Sequence, residues 1–300
     1  MNTKSKDHPA EDKKPEAEST SLVAAGGSGL AVAPSYLAAE EFEGGGGFEG
    51  AGTESYAIPF IQVLQKMSPL VDADSPKYVE GAKAGMFYNT VTSELFDGKE
   101  GLIIVPCAFK RVFNEWGGRE GDGGFKGSFT PEQFDAMLQN KEVSVLEGKA
   151  YRPDKDGHIN VKKSNYLADT REHYSLIQHP KTGVYFIGVI ALASTLTKAS
   201  RTLMTMLNTF RVDTPQGKRM PPTYAHRVKM ITIPQTNDKG AWSGVKFELA
   251  GLIQDPATFK EAKEFYLAVN GGAIKADHSK TDGANQETGV ADSATEAENF

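Results

Sequence analysis

Residues 102–127 read LIIVPCAFKRVFNEWGGREGDGGFKG and join an apolar run to a basic, aromatic and glycine-rich extension. The apolar run, Leu102 to Val105, is rich in β-branched side chains and is typical of a strand covered on both faces. Beyond Pro106 the side chains of an extended chain alternate between two faces. One face carries Phe109, Arg111 and Phe113, and the other carries Lys110, Val112 and Asn114. The stretch predicts a core strand that runs out into a flexible loop.

The extension interleaves cations with rings, and this pattern suits a polyanion whose bases can stack, because cations hold phosphates and rings hold base faces. We expect phosphates to be held by Lys110, Arg111, Arg119, Lys126, Arg227 and Lys229, and bases to stack on Phe113, Trp116 and Phe125. Two similar segments add the candidate contacts Lys162, Lys163, Tyr166, Lys218, Arg219 and Tyr224. The alternative for residues 102–127 is a strand that leaves the core, with aromatics at the end of a sheet and a solvated glycine loop.

Charge is segregated along the 300 residues, although the net charge is only −6. Residues 1–55 hold four Lys against ten Asp and Glu, and residues 276–300 hold one Lys against six acids. The middle, residues 56–275, holds 28 Lys and Arg against 23 acids, a balance of +5. A basic body between acidic ends is one of the composition signals for a nucleic-acid or membrane partner.

The chain divides into three predicted parts. Residues 1–55 form a disordered, glycine-rich acidic arm, residues 56–275 a single β-rich nucleic-acid-binding domain, and residues 276–300 a disordered acidic tail. Short extended segments separated by turns predict the strands, including hairpins around residues 179–183 and 237–240. Helix starts are predicted at Thr130 with Pro131 and Gln133, at Ser194 or Thr195, and at Asp255. The fold class is a β-rich α+β domain with an OB-like barrel core and two or three helices.

Several functional classes lack their sequence signals. No nucleophile elbow, P-loop, zinc-protease motif or dinucleotide fingerprint is present, and we expect neither an enzyme nor a bound cofactor. The turn at Asp154–Gly157 has only part of a calcium loop, so no metal is predicted. A single cysteine, Cys107, excludes an intrachain disulfide. The sequence lacks a long apolar span and an apolar signal core near its start, which favours a soluble protein of the cytoplasm, or of the host cytoplasm if a phage encodes it.

The C-terminal segment SATEAENF is acidic and ends in Phe300. It resembles the tails of bacterial and phage single-stranded DNA-binding proteins, especially those of T7-like phages. The resemblance implies that the tail, with Glu296, Glu298 and Phe300, docks on replication or recombination proteins and competes with DNA for the basic groove. The segments IPFIQVLQKMSP, YVEGAKAGMFYNTVT and VPCAFKRVFNEW are similar to a phage protein group found near recombination and replication genes.

These observations predict a sequence-tolerant single-stranded DNA-binding protein of phage DNA replication or recombination. Its expected partners are single-stranded DNA and replication or recombination proteins, with no membrane and with a possible homo-oligomer. The alternative is a phage structural or assembly protein that does not bind DNA.

Overall fold

The computed structural model describes residues 57–280, apart from 119, 122 and 239, together with Met1. The described chain contains three α-helices: α1 (Pro131–Gln139), α2 (Thr197–Thr209) and α3 (Pro256–Asn270). It contains thirteen strands: β1 (Ile61–Val63), β2 (Phe87–Asn89), β3 (Leu95–Phe96), β4 (Leu102–Trp116), β5 (Phe125–Phe129), β6 (Ser144–Leu146), β7 (Lys149–Tyr151), β8 (Tyr166–Gln178), β9 (Tyr185–Ala193), β10 (Val212–Thr214), β11 (Gly217–Arg219), β12 (His226–Asn237) and β13 (Gly240–Leu252).

Two long antiparallel strands, β4 and β8, form a ribbon that runs through the main sheet. At its proximal end, residues 102–104 of β4 pair with β12, which pairs in turn with β13. At its distal end, residues 113–116 of β4 pair with β5. On the other side, β8 pairs with β9 over residues 170–178 and with β7 at residues 166 and 167. At a rise of about 3.3 Å per residue, the two ends of β4 lie roughly 45 Å apart along the ribbon.

A β-bulge at Cys107 changes which side chains of β4 share a face. Pro106 pairs with Ser175 and Ala108 pairs with Tyr174, so the residue between them has no partner in the register. Even-numbered residues before the bulge and odd-numbered residues after it therefore lie on the same face, because one extra residue reverses the alternation. We name this the α2 face, because Ile104 packs there with Leu203 of α2, and the opposite side the α3 face.

The ribbon separates three main cores. On the α2 face, the largest core joins Ile104 to Leu203 of α2 and to Phe87 of β2. On the α3 face, Val105 packs in one core with Phe265 of α3. At the distal end, a smaller core contains residues of β4, β7, β8 and α1. The expected burial of the run 102–105 is confirmed, since Leu102, Ile104 and Val105 are all buried and Ile103 is partly buried.

Local signals placed the helices well, with one correction. The Thr130 hydroxyl accepts the Gln133 N–H and the Gln133 side chain accepts the Thr130 N–H, which confirms the capping box of α1. Asp255 caps α3 as predicted. The expected cap of α2 is wrong. A 3₁₀ turn at residues 194–196 precedes this helix, whose N-cap is Leu196, and no side chain caps it.

The sheets are open and antiparallel, so the β-rich class with three helices is confirmed. In the described ranges, the strand pairings do not close a barrel, and the OB-like core is not observed. Both predicted hairpins are present, as β8–β9 and β12–β13. Apart from Met1, the predicted arm at 1–55 lies outside the described residues, as does most of the predicted tail, residues 281–300.

Candidate nucleic-acid interface

The predicted binding residues divide between separate places rather than one groove. Trp116, Phe125, Lys126, Lys162, Lys163 and Tyr166 lie at or beside the distal end of the ribbon. Arg227 and Lys229 lie on β12, next to the proximal end. Lys218 and Arg219 are exposed in the separate hairpin β10–β11. Arg119 lies outside the described residues, as do Glu296, Glu298 and Phe300 of the tail.

Trp116 is the centre of the distal aromatic group, but it is a buried side chain. It pairs with Tyr166 across the ribbon and with Phe125 of β5, whose ring centroid lies 5.6 Å from its own. Only 2% of Trp116 is exposed, so it has no free face on which a base could stack. The predicted stacking role of Trp116 is therefore corrected, because neighbouring strands cover the ring. Phe125 is half-buried, and its ring centroid also lies 5.7 Å from that of His278.

Two loops meet beside this aromatic group. Glu120, in the glycine-rich loop 117–124, donates its backbone N–H to the Lys162 carbonyl over 2.9 Å, and its carboxylate lies 3.1 Å from Lys162 Nζ. A Cβ atom at Gly118 would collide with the carbonyl oxygen of Lys163. Glycine is thus required at this position because the two backbones approach each other too closely for a side chain.

A polar turn holds the two lysines in place. The Asn160 side-chain oxygen accepts the backbone N–H groups of Lys162 and Lys163, and the Asn160 carbonyl accepts the Ser164 N–H over 2.7 Å. Both lysine side chains are exposed. The sequence prediction identified these lysines but missed Asn160. An Asn two residues before a basic pair, which can form an Asx turn, was the available signal.

The buried carboxylate of Glu115 connects the lysine turn to the ribbon through hydrogen bonds. Glu115 is 5% exposed, and its two oxygens accept hydrogen bonds from Arg152 Nε at 2.9 Å and Asn165 Nδ2 at 2.8 Å. We name these two contacts of Glu115 the Glu115 clamp. Because Asn165 directly follows the lysine turn, the Glu115 clamp joins that turn to the end of β4.

Lys126 is exposed on β5, beside Phe125. We name the group of Phe125, Lys126, Lys162 and Lys163 the distal surface.

The remaining residues predicted on β4 have partners within the fold. Phe113 is 6% exposed and stacks on Phe134 of α1 with centroids 3.7 Å apart, so its predicted contact with bases is also corrected. Lys110 lies over the Tyr174 ring at 5.3 Å, on the α3 face. Arg111 forms a bidentate pair with Asp169, with distances of 2.9 and 2.8 Å.

At the proximal end, Lys229 lines a small cleft with Gln178 and His179, while Arg227 lies 3.5 Å from the Gln178 side chain. Tyr224 packs against the rings of Phe259 and Tyr266, in the core under α3. Tyr224 is half-buried, and its predicted contact with nucleic acid stays a prediction.

Two polar clusters have features of chemical sites, but their geometry is that of structural elements. Asp154, Asp156 and His158 lie together in an exposed turn, where an Asp154 oxygen accepts the N–H groups of the other two residues. Glu172 accepts hydrogen bonds from Tyr174 at 2.8 Å and from His278 at 2.6 Å, and all three are at most 3% exposed. This buried network attaches the segment after α3 to the sheet.

Among the described residues, none of the helices has the length and apolar character needed to cross a membrane.

A family model matches most of the chain. Residues 25–275 match the family model described as Pam3 phage gp34-like protein, a description that indicates a phage protein. No curated protein and no solved structure matches the chain. Because the family match covers well over half of the 300 residues, this chain belongs to the Pam3 phage gp34-like protein family.

Proposed function

We propose that this protein binds single-stranded DNA without strong sequence preference, in phage DNA replication or recombination. The distal surface carries the proposal, because it sets three exposed lysines beside a partly accessible ring. Cationic side chains next to aromatic faces are the usual means by which proteins hold an unpaired strand.

The lysines are positioned for phosphate contacts. Lys162 and Lys163 follow each other on a turn whose backbone is held by Asn160, so the backbone that carries them is ordered before a ligand arrives. Lys162 is also paired with Glu120, and a phosphate would have to compete with that carboxylate. The Glu115 clamp keeps the turn attached to the ribbon, which reduces the ordering cost of binding.

The residue types favour sequence tolerance. Lysine is a flexible point charge that binds phosphates, and a ring can stack with any base. Specific recognition would instead need side chains directed at base edges. Phe125 and Tyr166 are half-buried and remain candidates for stacking, whereas Trp116 and Phe113 are buried.

Two parts of the proposal, the OB-like barrel and the role of the acidic tail, come from the sequence. An OB-like barrel would provide a groove for a single strand, but an open sheet with a basic end can also hold one, so binding does not depend on closure. The acidic tail with Glu296, Glu298 and Phe300 is proposed to dock on replication or recombination proteins. Its resemblance to the tails of single-stranded DNA-binding proteins supports this role.

A direct binding measurement tests the proposal. The anisotropy of a dye-labelled thymidine oligonucleotide is followed as the full chain is added, at low and then at rising salt, with a duplex of equal length as the comparison. We expect saturable binding to the single strand, weaker binding to the duplex, and an affinity that falls with salt. Absence of binding at low ionic strength would reject the proposal and favour a structural or assembly role without DNA.

A further inference from the structure

We propose that the α2 face of the ribbon carries a second anion site, an arginine groove formed by Arg111, Arg171 and Arg201, which binds phosphate groups. Its ligand is a phosphate oxyanion, either free or in a nucleic-acid backbone. The groove lies away from the distal surface, and the physical argument for it does not depend on the proposed function.

The register of the ribbon brings two arginines together. Arg111 of β4 pairs directly with Arg171 of β8, and both side chains project from the α2 face. Side chains directly opposite each other have Cβ atoms about 5 Å apart, and like charges in such a pair oppose folding. The sheet therefore keeps two cationic side chains next to each other at a cost, which a bound anion would offset. The Arg111 guanidinium itself lies over the Phe113 ring, 5.1 Å from its centroid.

The charges of the groove are only partly neutralised inside the protein. Arg111 pairs with Asp169, and in the part of the chain described this is the single ion pair among the three arginines. The Nε atom of Arg171 is buried and has no hydrogen-bond partner there. Burial lowers the pKa of Arg171, and the charges of Arg201 and Arg111 lower it further, against the opposing effect of Asp169. A guanidinium stays charged in proteins, so this environment leaves an unmet demand for negative charge.

The α2 helix places the third arginine. His173 is buried, and its Nε2 atom lies 2.8 Å from the Ser200 hydroxyl, which attaches the first half of α2 to the sheet. Arg201 follows Ser200 and is exposed. His173 lies two residues from Arg171 on the same face of β8, so the contact of Ser200 with His173 brings Arg201 beside the groove.

An accessible ring lies next to the cations. Phe109 precedes Arg111 on the same face, is 36% exposed, and lies with its centroid 5.2 Å from that of His173. Guanidinium groups match phosphate oxygens in bidentate geometry, and a neighbouring ring can hold a base or a sugar. The groove thus has the parts needed for a nucleotide phosphate, whereas a free phosphate would use the arginines alone.

The experiment compares Arg171→Gln and Arg201→Gln with Lys263→Gln, which removes one exposed charge from α3 on the opposite face. Thermal unfolding is measured in sodium phosphate and in sodium chloride of equal ionic strength, and oligonucleotide affinity is measured by anisotropy. We expect phosphate to raise the unfolding midpoint of the wild-type chain and of Lys263→Gln, by mass action on the folded state. In the two arginine variants the apparent phosphate affinity is expected to fall roughly tenfold or more.

The thermal-unfolding and oligonucleotide measurements together show whether the groove binds free phosphate or the phosphates of a nucleic acid. If Arg201→Gln also weakens oligonucleotide binding more than Lys263→Gln does, the groove holds nucleic acid. If phosphate protection depends on Arg201 while no oligonucleotide binds to any form, the groove stands as a site for free phosphate and the proposed function fails. An equal phosphate effect in all four proteins, or none in the wild-type chain, overturns the groove. Arg201 is exposed, so Arg201→Gln keeps the test valid if Arg171→Gln does not fold.

Discussion

Replacing Lys162 and Lys163 together by alanine is expected to weaken oligonucleotide binding and to flatten its salt dependence. Each lysine that neutralises a phosphate releases condensed counterions, and the logarithm of the affinity then falls with the logarithm of salt by about 0.7 per contact on a single strand. Loss of two complete contacts would reduce the slope by about 1.4.

The contacts of the two lysines limit the expected change in the salt slope. Lys163 has an exposed side chain, whereas Lys162 lies 3.1 Å from Glu120 and must exchange that carboxylate for a phosphate. The change in slope should therefore lie between about 0.7 and about 1.4. Between roughly 50 and 200 mM salt, a change of 1.4 means that the variant loses about sevenfold less affinity than the wild-type chain does.

The matched control is Lys260→Ala with Lys263→Ala on α3. It also removes two exposed lysines, one of them paired with a carboxylate, since Lys260 Nζ lies 3.8 Å from Glu264. Both double variants change the net charge equally, so an effect of overall charge would appear in both. Anisotropy titrations at several salt concentrations give the slopes.

Equal slopes for the wild-type chain and the Lys162 and Lys163 variant would refute the reasoning, even if the affinity at one salt concentration differed. Equal flattening in the α3 control would assign the effect to net charge. Circular dichroism of all three proteins checks that the fold is retained.

Three further predictions concern the framework around these sites. Trp116→Ala should lower the free energy of unfolding by about 3 to 5 kcal/mol, because the ring is buried, and denaturant titration measures it; a cost below about 1 kcal/mol would contradict that burial. Gly118→Ala should separate the glycine-rich loop from Lys163 and accelerate proteolysis there, whereas cleavage at the wild-type rate would show that the loop accepts a side chain at position 118 and stays attached. Burial lowers the pKa of His173 to about 4, so the unfolded chain takes up a proton between roughly pH 6.5 and 4 that the folded chain does not. Stability should fall by up to about 3 kcal/mol across that range as pH decreases, and His173→Asn should remove this part of the pH dependence, measured by denaturant titrations at each pH.

Short-range signals predicted much of the fold. The capping residues Thr130 and Asp255 begin their helices as expected, because a cap depends on a few neighbouring residues. The hairpins formed for the same reason, since the turn chemistry and the alternating side chains lie close together in the chain. Closure of a barrel depends on pairing between distant strands, and no local signal specifies it.

The candidate site was less predictable. The sequence identified Lys162 and Lys163, but it also assigned stacking roles to Trp116 and Phe113, which cross-strand neighbours and α1 bury. An aromatic side chain in a strand looks the same in a sequence whether it faces solvent or a packed helix. Arg171 was overlooked because no basic neighbour accompanies it in the chain.

By itself, the sequence determined the local elements: the buried run from Leu102 to Val105, the helix caps, the hairpins and the basic body. Tertiary structure decided which of the cations meet. It placed Arg227 and Lys229 at one end of the ribbon and the distal lysines at the other, and it brought Arg171 opposite Arg111. The physical reason is that strand register and the bulge at Cys107 set which side chains share a face, and these depend on pairing across the sheet.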